Sequence, residues 1–209
     1  IYNTTMVSEK PDSWSVMWDP KYSGEILTFN NSRDAFGVAQ YLLGYDVNST
    51  NPDEWRAAEE KLKEQKPLIQ SYVMDEVFNK MEAGEAAMAP YYAGDYLTMK
   101  QENDDLAFVY PKEGTNKFVD VMCIPSSSEN KEAAELFINY MCEPEVALHN
   151  ANYLGYLCPV TAVLSDDRYE YKDNEVLYPK QEVKTQFFHN LDQDTLDLLS
   201  KLWEDLKLA

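Results

Sequence analysis

The side chains able to do acid, base or nucleophilic chemistry are few and scattered. Only His149 and His189 occur, far apart in the chain, and neither stands in a zinc, nucleophile or general-base motif. No G-x-S-x-G and no H-E-x-x-H is present. Cys123, Cys142 and Cys158 are an odd number at spacings that match neither a metal knuckle nor C-x-x-C. They allow at most one disulfide and read as buried thiols. The acidic clusters Asp104-Asp105, Asp166-Asp167 and Asp192-Gln193-Asp194 lack the glycine and distal glutamate that a calcium loop demands, so they read as solvated faces. Two carboxylates from distant positions could still meet for acid–base work, which a sequence does not reveal. No catalytic, metal or cofactor-binding motif stands out among these residues, so enzyme activity is not expected.

The balance of charge suggests what is bound. Thirty-seven Asp and Glu against eighteen Lys and Arg give a net charge of −19. A phosphate backbone needs clustered Lys and Arg, so nucleic acid is a poor partner, and anionic membrane surfaces fail for the same reason. An acidic protein concentrates cations, which points to metal ions or organic amines, although the same charge also serves plain solubility. Seven glycines form no phosphate-cradling loop. With 44% apolar and 13% aromatic residues the chain can bury a sizeable core. No apolar run approaches membrane-spanning length. The start, Ile1-Tyr2-Asn3, shows no basic export region, so localisation is not readable from the terminus.

Strands and helices that would position binding residues alternate along the chain. Residues 25–30 read as a strand running into the capping residues Asn31-Ser32 and a helix carrying Ala35, Phe36, Ala39, Leu42 and Leu43 up to Gly44. Asn51-Pro52-Asp53-Glu54 opens a second helix with Trp55, Ala58 and Leu62. Further strands are expected at 68–73, 86–91, 106–110 and 118–124, with short helices at 75–82 and 94–100. Ser128 would cap a helix with Ala133, Ala134, Phe137, Ile138 and Met141 inward. Another helix follows Pro144, and Gln193–Leu206 is amphipathic through Leu196, Leu199, Leu202, Trp203 and Leu206. The alternation predicts an α/β fold with a mainly parallel sheet flanked by helices.

Several segments then align with a known family. Ser13-Trp14 through Trp18-Asp19-Pro20-Lys21-Tyr22-Ser23-Gly24 resembles a stretch of the polyamine-binding, spermidine/putrescine class of ABC-transporter substrate-binding proteins. Asn30 to Phe36, Met81 to Glu85, Tyr110 to Gly114, Asp120 to Pro125 with Asn130 to Ala134, and Leu154-Gly155-Tyr156 continue the resemblance in order. It implies a type II periplasmic-binding-protein fold of two lobes with the ligand between them. By this analogy residues 1–112 and 158–209 form the second lobe, and 113–157 are a returning segment of an incomplete first lobe, most of which is expected to lie outside this chain.

The resemblance also implies a site. Asn31 stands where the family has an acid, Asp34 matches a second acid, and Tyr92 falls on a cleft aromatic. Phe118 and Asp120 match an aromatic-x-acid pattern whose alternation on a strand would place both side chains on one face. Tyr156 matches an aromatic, and Asn190 falls near a terminal amide. Carboxylates at intervals with aromatic walls between them suit an extended polyammonium ligand. The implied protein is extracytoplasmic, in the periplasm or lipid-anchored at the cell surface, and works with ABC permease subunits. Two alternatives remain: a ferric-ion-binding protein using Tyr91-Tyr92, and a secreted carboxylate-dependent hydrolase. With part of a lobe missing, residues 113–157 would expose an apolar face around Phe137 and Met141, so self-association is expected.

Overall fold

The structure is a computed structural model that describes residues 1–208. The chain divides into two compact units, residues 1–118 with 182–209 and residues 119–181. They are bounded by the chain's own packing, whereas the lobes expected by analogy belong to an intact protein.

The first unit is built on a mixed sheet. β2 (Ile26–Phe29) and β3 (Ile69–Val73) pair in parallel, with Phe29 opposite Val73. Met88 bridges β2 in parallel on one side and β1 (Tyr2–Asn3) antiparallel on the other. β1 in turn pairs antiparallel with β4 (Leu106–Ala107). The strand expected at 86–91 is thus narrowed to the bridge at Met88, and that at 106–110 to two residues. All four residues of β2 are buried, as expected of a strand covered on both faces.

Sequence signals set the helices of this unit. α1 (Ser32–Leu43) starts at Asn31, whose side chain accepts the backbone N–H groups of Arg33 and Asp34, and stops at Gly44, which takes a left-handed φ of 76°. α2 (Pro52–Gln65) follows the Asn51 cap with proline in its first turn and acids at Asp53 and Glu54. α3 (Glu76–Glu82) and α4 (Ala93–Glu102) follow β3. Phe36 and Ala39 of α1 and Trp55, Ala58 and Leu62 of α2 form one core with three leucines from the C-terminal end of the chain, Leu199, Leu202 and Leu206. These leucines lie on α8 (Gln193–Leu208). Leu196, expected inward, is 41% exposed at the start of that helix.

Between α4 and α8 the chain leaves the first unit after β5 (Thr115–Lys117) and re-enters it ahead of β6 (Thr185–Phe187). The two strands pair in parallel, with Asn116 opposite Gln186. Neither was expected, because both are short and polar. The strand expected at Phe118–Ile124 does not form. Phe118 is 43% exposed, and Val119, Val121 and Met122 are exposed with it. Alternating apolar residues make a strand only where a neighbour pairs their backbone, and none of the described strands includes residues 118–124.

The second unit contains α5 (Lys131–Met141), α6 (Pro144–Leu154) and α7 (Thr161–Leu164). Its core is Ala147, Leu148, Ala151, Val163 and Tyr169. Arg168 ties the unit together through Glu145 (2.7 Å) and Asp166 (2.8 Å). α5 begins at Asn130 rather than Ser128 and buries none of its residues. Its apolar side does not face inward as the periodicity predicts, since this unit holds no layer for it to cover. Cys123 and Cys142 are exposed and Cys158 is half-buried, which corrects their reading as buried thiols, and all three are free.

Candidate functional site

The β2–α1 junction creates the site in the first unit. A strand that runs directly into a capped helix leaves the first turn of the helix at the strand's carboxyl end, the place where open α/β sheets bind ligands. Asn31 spends its side-chain oxygen on two helix N–H groups, which fixes the turn and seats Asp34 one residue further inside it. Asp34 is only 8% exposed. Tyr92, the capping residue of α4, donates its hydroxyl to Asp34 Oδ2 at 3.2 Å, and Asn116 of β5 donates its amide to Oδ1 at 3.4 Å.

Aromatic rings continue from this carboxylate. Phe29 lies 5.6 Å from Tyr92 and 5.8 Å from Tyr91, centroid to centroid, and Tyr91 and Tyr92 lie 4.8 Å apart. Phe118 meets Tyr92 edge-on at 5.3 Å. Trp14, Val38, Tyr41, Gly37, Thr115 and Phe188 complete a narrow crevice in which Asp34 carries the single charged side chain among the described residues. Trp14 is held over it by its indole N–H, which donates to the Gly114 carbonyl at 2.7 Å.

Burial sets the electrostatics. It pushes the Asp34 carboxyl above the ordinary carboxylate range, opposed by the Tyr92 hydrogen bond and by Arg33. Burial and the Asp34 charge hold the Tyr92 phenol well above its ordinary value. Tyr91 is pushed up to about 12 by burial and by Asp95 and Asp75, the latter of which accepts its hydroxyl at 3.4 Å. A desolvated carboxylate among neutral rings, with the Arg33 guanidinium turned to other acceptors, offers the negative group that an organic cation requires.

Of the residues expected from the sequence, Asp34, Tyr92 and Phe118 come together here. Asn31 is exposed beside them with its oxygen committed to the helix cap. Asn190 is exposed in the segment after β6. Asp120 and Tyr156 belong to the second unit: Asp120 is exposed, while Tyr156 is half-buried and its carbonyl accepts the Tyr169 hydroxyl at 3.5 Å. Phe29, Asn116, Trp14 and Phe188 were missed. Only Trp14 left a trace in the sequence, as part of the Ser13-Trp14 stretch. The acidic clusters behave as ordinary surface: Asp166 pairs with Arg168, and Asp192 accepts the Thr195 N–H at the start of α8. Among the described residues no three His, Cys, Asp or Glu side chains gather as a metal site would require.

The profile of the bacterial extracellular solute-binding protein family matches residues 1–177. The chain belongs to that family. Its members are binding proteins that act outside the cytoplasm. The spermidine/putrescine-binding periplasmic protein of Escherichia coli is 32% identical over 170 residues, which is 81% of this chain and 49% of that protein. The spermidine/putrescine-binding periplasmic protein 1 of Haemophilus influenzae is 26% identical over 210 residues, all of this chain and 58% of that one. Among solved structures, the spermidine/putrescine ABC transporter substrate-binding protein of Streptococcus pneumoniae superposes with a TM-score of 0.84 at 31% identity, covering 99% of this chain and 65% of that chain. A lipoprotein of Treponema pallidum superposes at 0.82 with 19% identity and shows the fold alone. The chain therefore spans about half the length of the Escherichia coli relative. The periplasmic-binding-protein fold expected from the sequence is the fold of these neighbours. None of the described helices is long and apolar enough to cross a membrane.

Proposed function

We propose that the chain supplies one wall of the ligand cleft of an ABC importer's solute-binding component, and that the ligand is a polyamine such as spermidine or putrescine. The observation that carries this reading is the buried Asp34 carboxylate, the one charged group among the described residues that line this crevice of aromatic rings. An ammonium group pairs with Asp34, and the methylenes beyond it lie along Phe29, Tyr92 and Phe118, whose ring faces also attract the charge. Asn31, Asp120, Tyr156 and Asn190 are proposed as further polar and aromatic contacts of the ligand in the complete protein. Closure of two lobes would present the loaded form to the membrane permease subunits. The family description and the named relatives support transport rather than catalysis.

The tyrosinate alternative is disfavoured by the geometry: Tyr91 and Tyr92 donate to different carboxylates, Asp75 and Asp34, and both phenols hold their protons tightly. Mass spectrometry of the ligand that co-purifies with the full-length protein tests the proposal, together with calorimetry against spermidine, putrescine, amino acids and sugars. Polyamine binding is expected. Binding of a neutral or anionic solute instead would overturn it.

A further inference from the structure

Beside Asp34, in the same helical turn, Arg33 points elsewhere. Its guanidinium donates to the Val47 carbonyl at 2.8 Å, to Asn48 Oδ1 at 2.9 Å and to the His189 carbonyl at 3.3 Å. It lies over two rings, 4.7 Å from the centroid of Phe188 and 5.5 Å from that of Trp55. We infer that Arg33 is a positioning residue of the Asp34 crevice: it clasps the strap of residues 186–189 against α1, so that Phe188 and the β5–β6 pair form the crevice wall, and it keeps a fixed positive charge beside the carboxylate. The ligand part of this inference rests on the reading of the crevice as a polyamine site.

Along the strap, residue after residue is fastened to the same loop. Gln186 Oε1 accepts the Val47 N–H at 3.1 Å, the Phe187 carbonyl accepts the Asn48 amide at 2.8 Å, and the His189 N–H donates to Asn48 Oδ1 at 2.7 Å. Asn48 Oδ1 is thus shared between Arg33 and the strap. Phe188, between these fastenings, reaches so close to α1 that a Cβ on Gly37 would lie 3.0 Å from its ring. Gln186 stands opposite Asn116 in the β5–β6 register, and Asn116 donates to Asp34. One network therefore runs from Arg33 to the carboxylate through the strap, while the charge acts on it directly. A planar fork that stacks on two rings and reaches three acceptors is a task for arginine, and lysine does not reproduce it.

The groups that face Asp34 are Tyr92 from α4, Asn116 from β5, and Arg33 and Tyr41 from its own helix. Asp46, in the loop after α1, faces Arg33. Arg33 is the only cation of this set, and its charge opposes the effect of burial on Asp34.

Two measurements on the full-length protein test the inference. The first is an NMR titration of the Asp34 carboxyl without ligand. Arg33→Gln is expected to move that titration to higher pH, whereas Arg33→Lys, which keeps the charge, and Asn48→Ala, which leaves it untouched, are expected not to. The second is calorimetry with spermidine and putrescine at neutral pH, in which Arg33→Lys and Asn48→Ala are each expected to weaken binding about tenfold, because the fork or its shared acceptor is lost. An unmoved titration in Arg33→Gln, or wild-type affinity in both of the other variants, overturns the inference. If Arg33→Gln does not fold, the affinities of Arg33→Lys and Asn48→Ala decide it. A wild-type protein that binds no polyamine refutes the proposed function, and the ligand-free titration then still supports or overturns the role of Arg33.

Discussion

Replacing Asp34 with asparagine should pull stability and binding in opposite directions. Without ligand, the buried carboxyl has a folded pKa raised above its ordinary 3.8. A group of this kind stabilises the fold most when protonated, and that contribution is lost as pH rises from the ordinary value through the raised one. At neutral pH the native state thus carries the full cost of burying the charge. The hydrogen bonds that offset it are long, 3.2 Å from Tyr92 and 3.4 Å from Asn116, and an amide oxygen can still accept one of them. Asp34→Asn should therefore melt at or above the wild-type temperature at pH 7, with the difference shrinking as pH falls toward 4. Binding should respond the other way. Among the described residues no other charge lines the crevice, so removing this one leaves the ligand's ammonium group without a charged partner there. Truncating one member of a buried charge pair costs about 2–5 kcal/mol, and at about 1.4 kcal/mol per decade this is roughly a 30- to 4,000-fold loss of polyamine affinity. Calorimetry and thermal melts of the full-length protein and the variant between pH 4 and 8 provide both numbers. Wild-type affinity in Asp34→Asn would refute the assignment. A variant that is less stable at pH 7 than at pH 4, relative to wild type, would refute the electrostatic argument.

Asn31→Asp should leave the unfolding free energy within about 0.5 kcal/mol of wild type, since aspartate caps a helix as well as asparagine, and should favour spermidine over putrescine; equal change for both amines in calorimetry would mean that residue 31 does not face an ammonium group. Gly37→Ala would gain about 1 kcal/mol from helix propensity in open space, but the new methyl meets the Phe188 ring at 3.0 Å, a ring that Arg33 also contacts. No gain in melting temperature and a few-fold weaker polyamine binding are expected, and a full gain with unchanged affinity would show that the ring yields freely. On α5, Leu136 and Phe137 are 65% and 57% exposed, so the 209-residue chain should self-associate in light scattering and Phe137→Asp should reduce this; a monodisperse wild-type chain would count against it. The same chain should bind spermidine more weakly than the full-length protein, because an ammonium group held by one wall stays largely solvated, and submicromolar affinity in calorimetry would contradict this.

The elements that sequence reading located best are those with local signals. α1 and α2 carry their own caps, stops and apolar periods, and α8 shows its leucines at helical spacing, so their positions follow from neighbours within a few residues. Residues 118–124 misled because alternation describes a side-chain pattern, while a strand also needs a backbone partner from elsewhere in the chain. β5 and β6 were illegible for the converse reason. Thr-Asn-Lys and Thr-Gln-Phe carry no strand pattern, and they pair across about seventy residues of intervening chain. The same split runs through the site. Asp34 and Tyr92 were reached through the family resemblance, but Asn116 and Phe188 enter the crevice only because the strap returns to α1.

That return also sets a timetable for folding. α1 and α2 lie early in the chain, yet their shared core lacks Leu199, Leu202 and Leu206 until α8 arrives at the end. A ribosome adding residues one after another must release the whole of 119–181 before the strap and α8 emerge. During that interval Phe36, Trp55 and Leu62 belong to an unfinished core and are exposed to chance partners. A protein built in this way has reason to rely on chaperones during synthesis, and its first unit should reach its final protection against hydrogen exchange only after the last helix has docked.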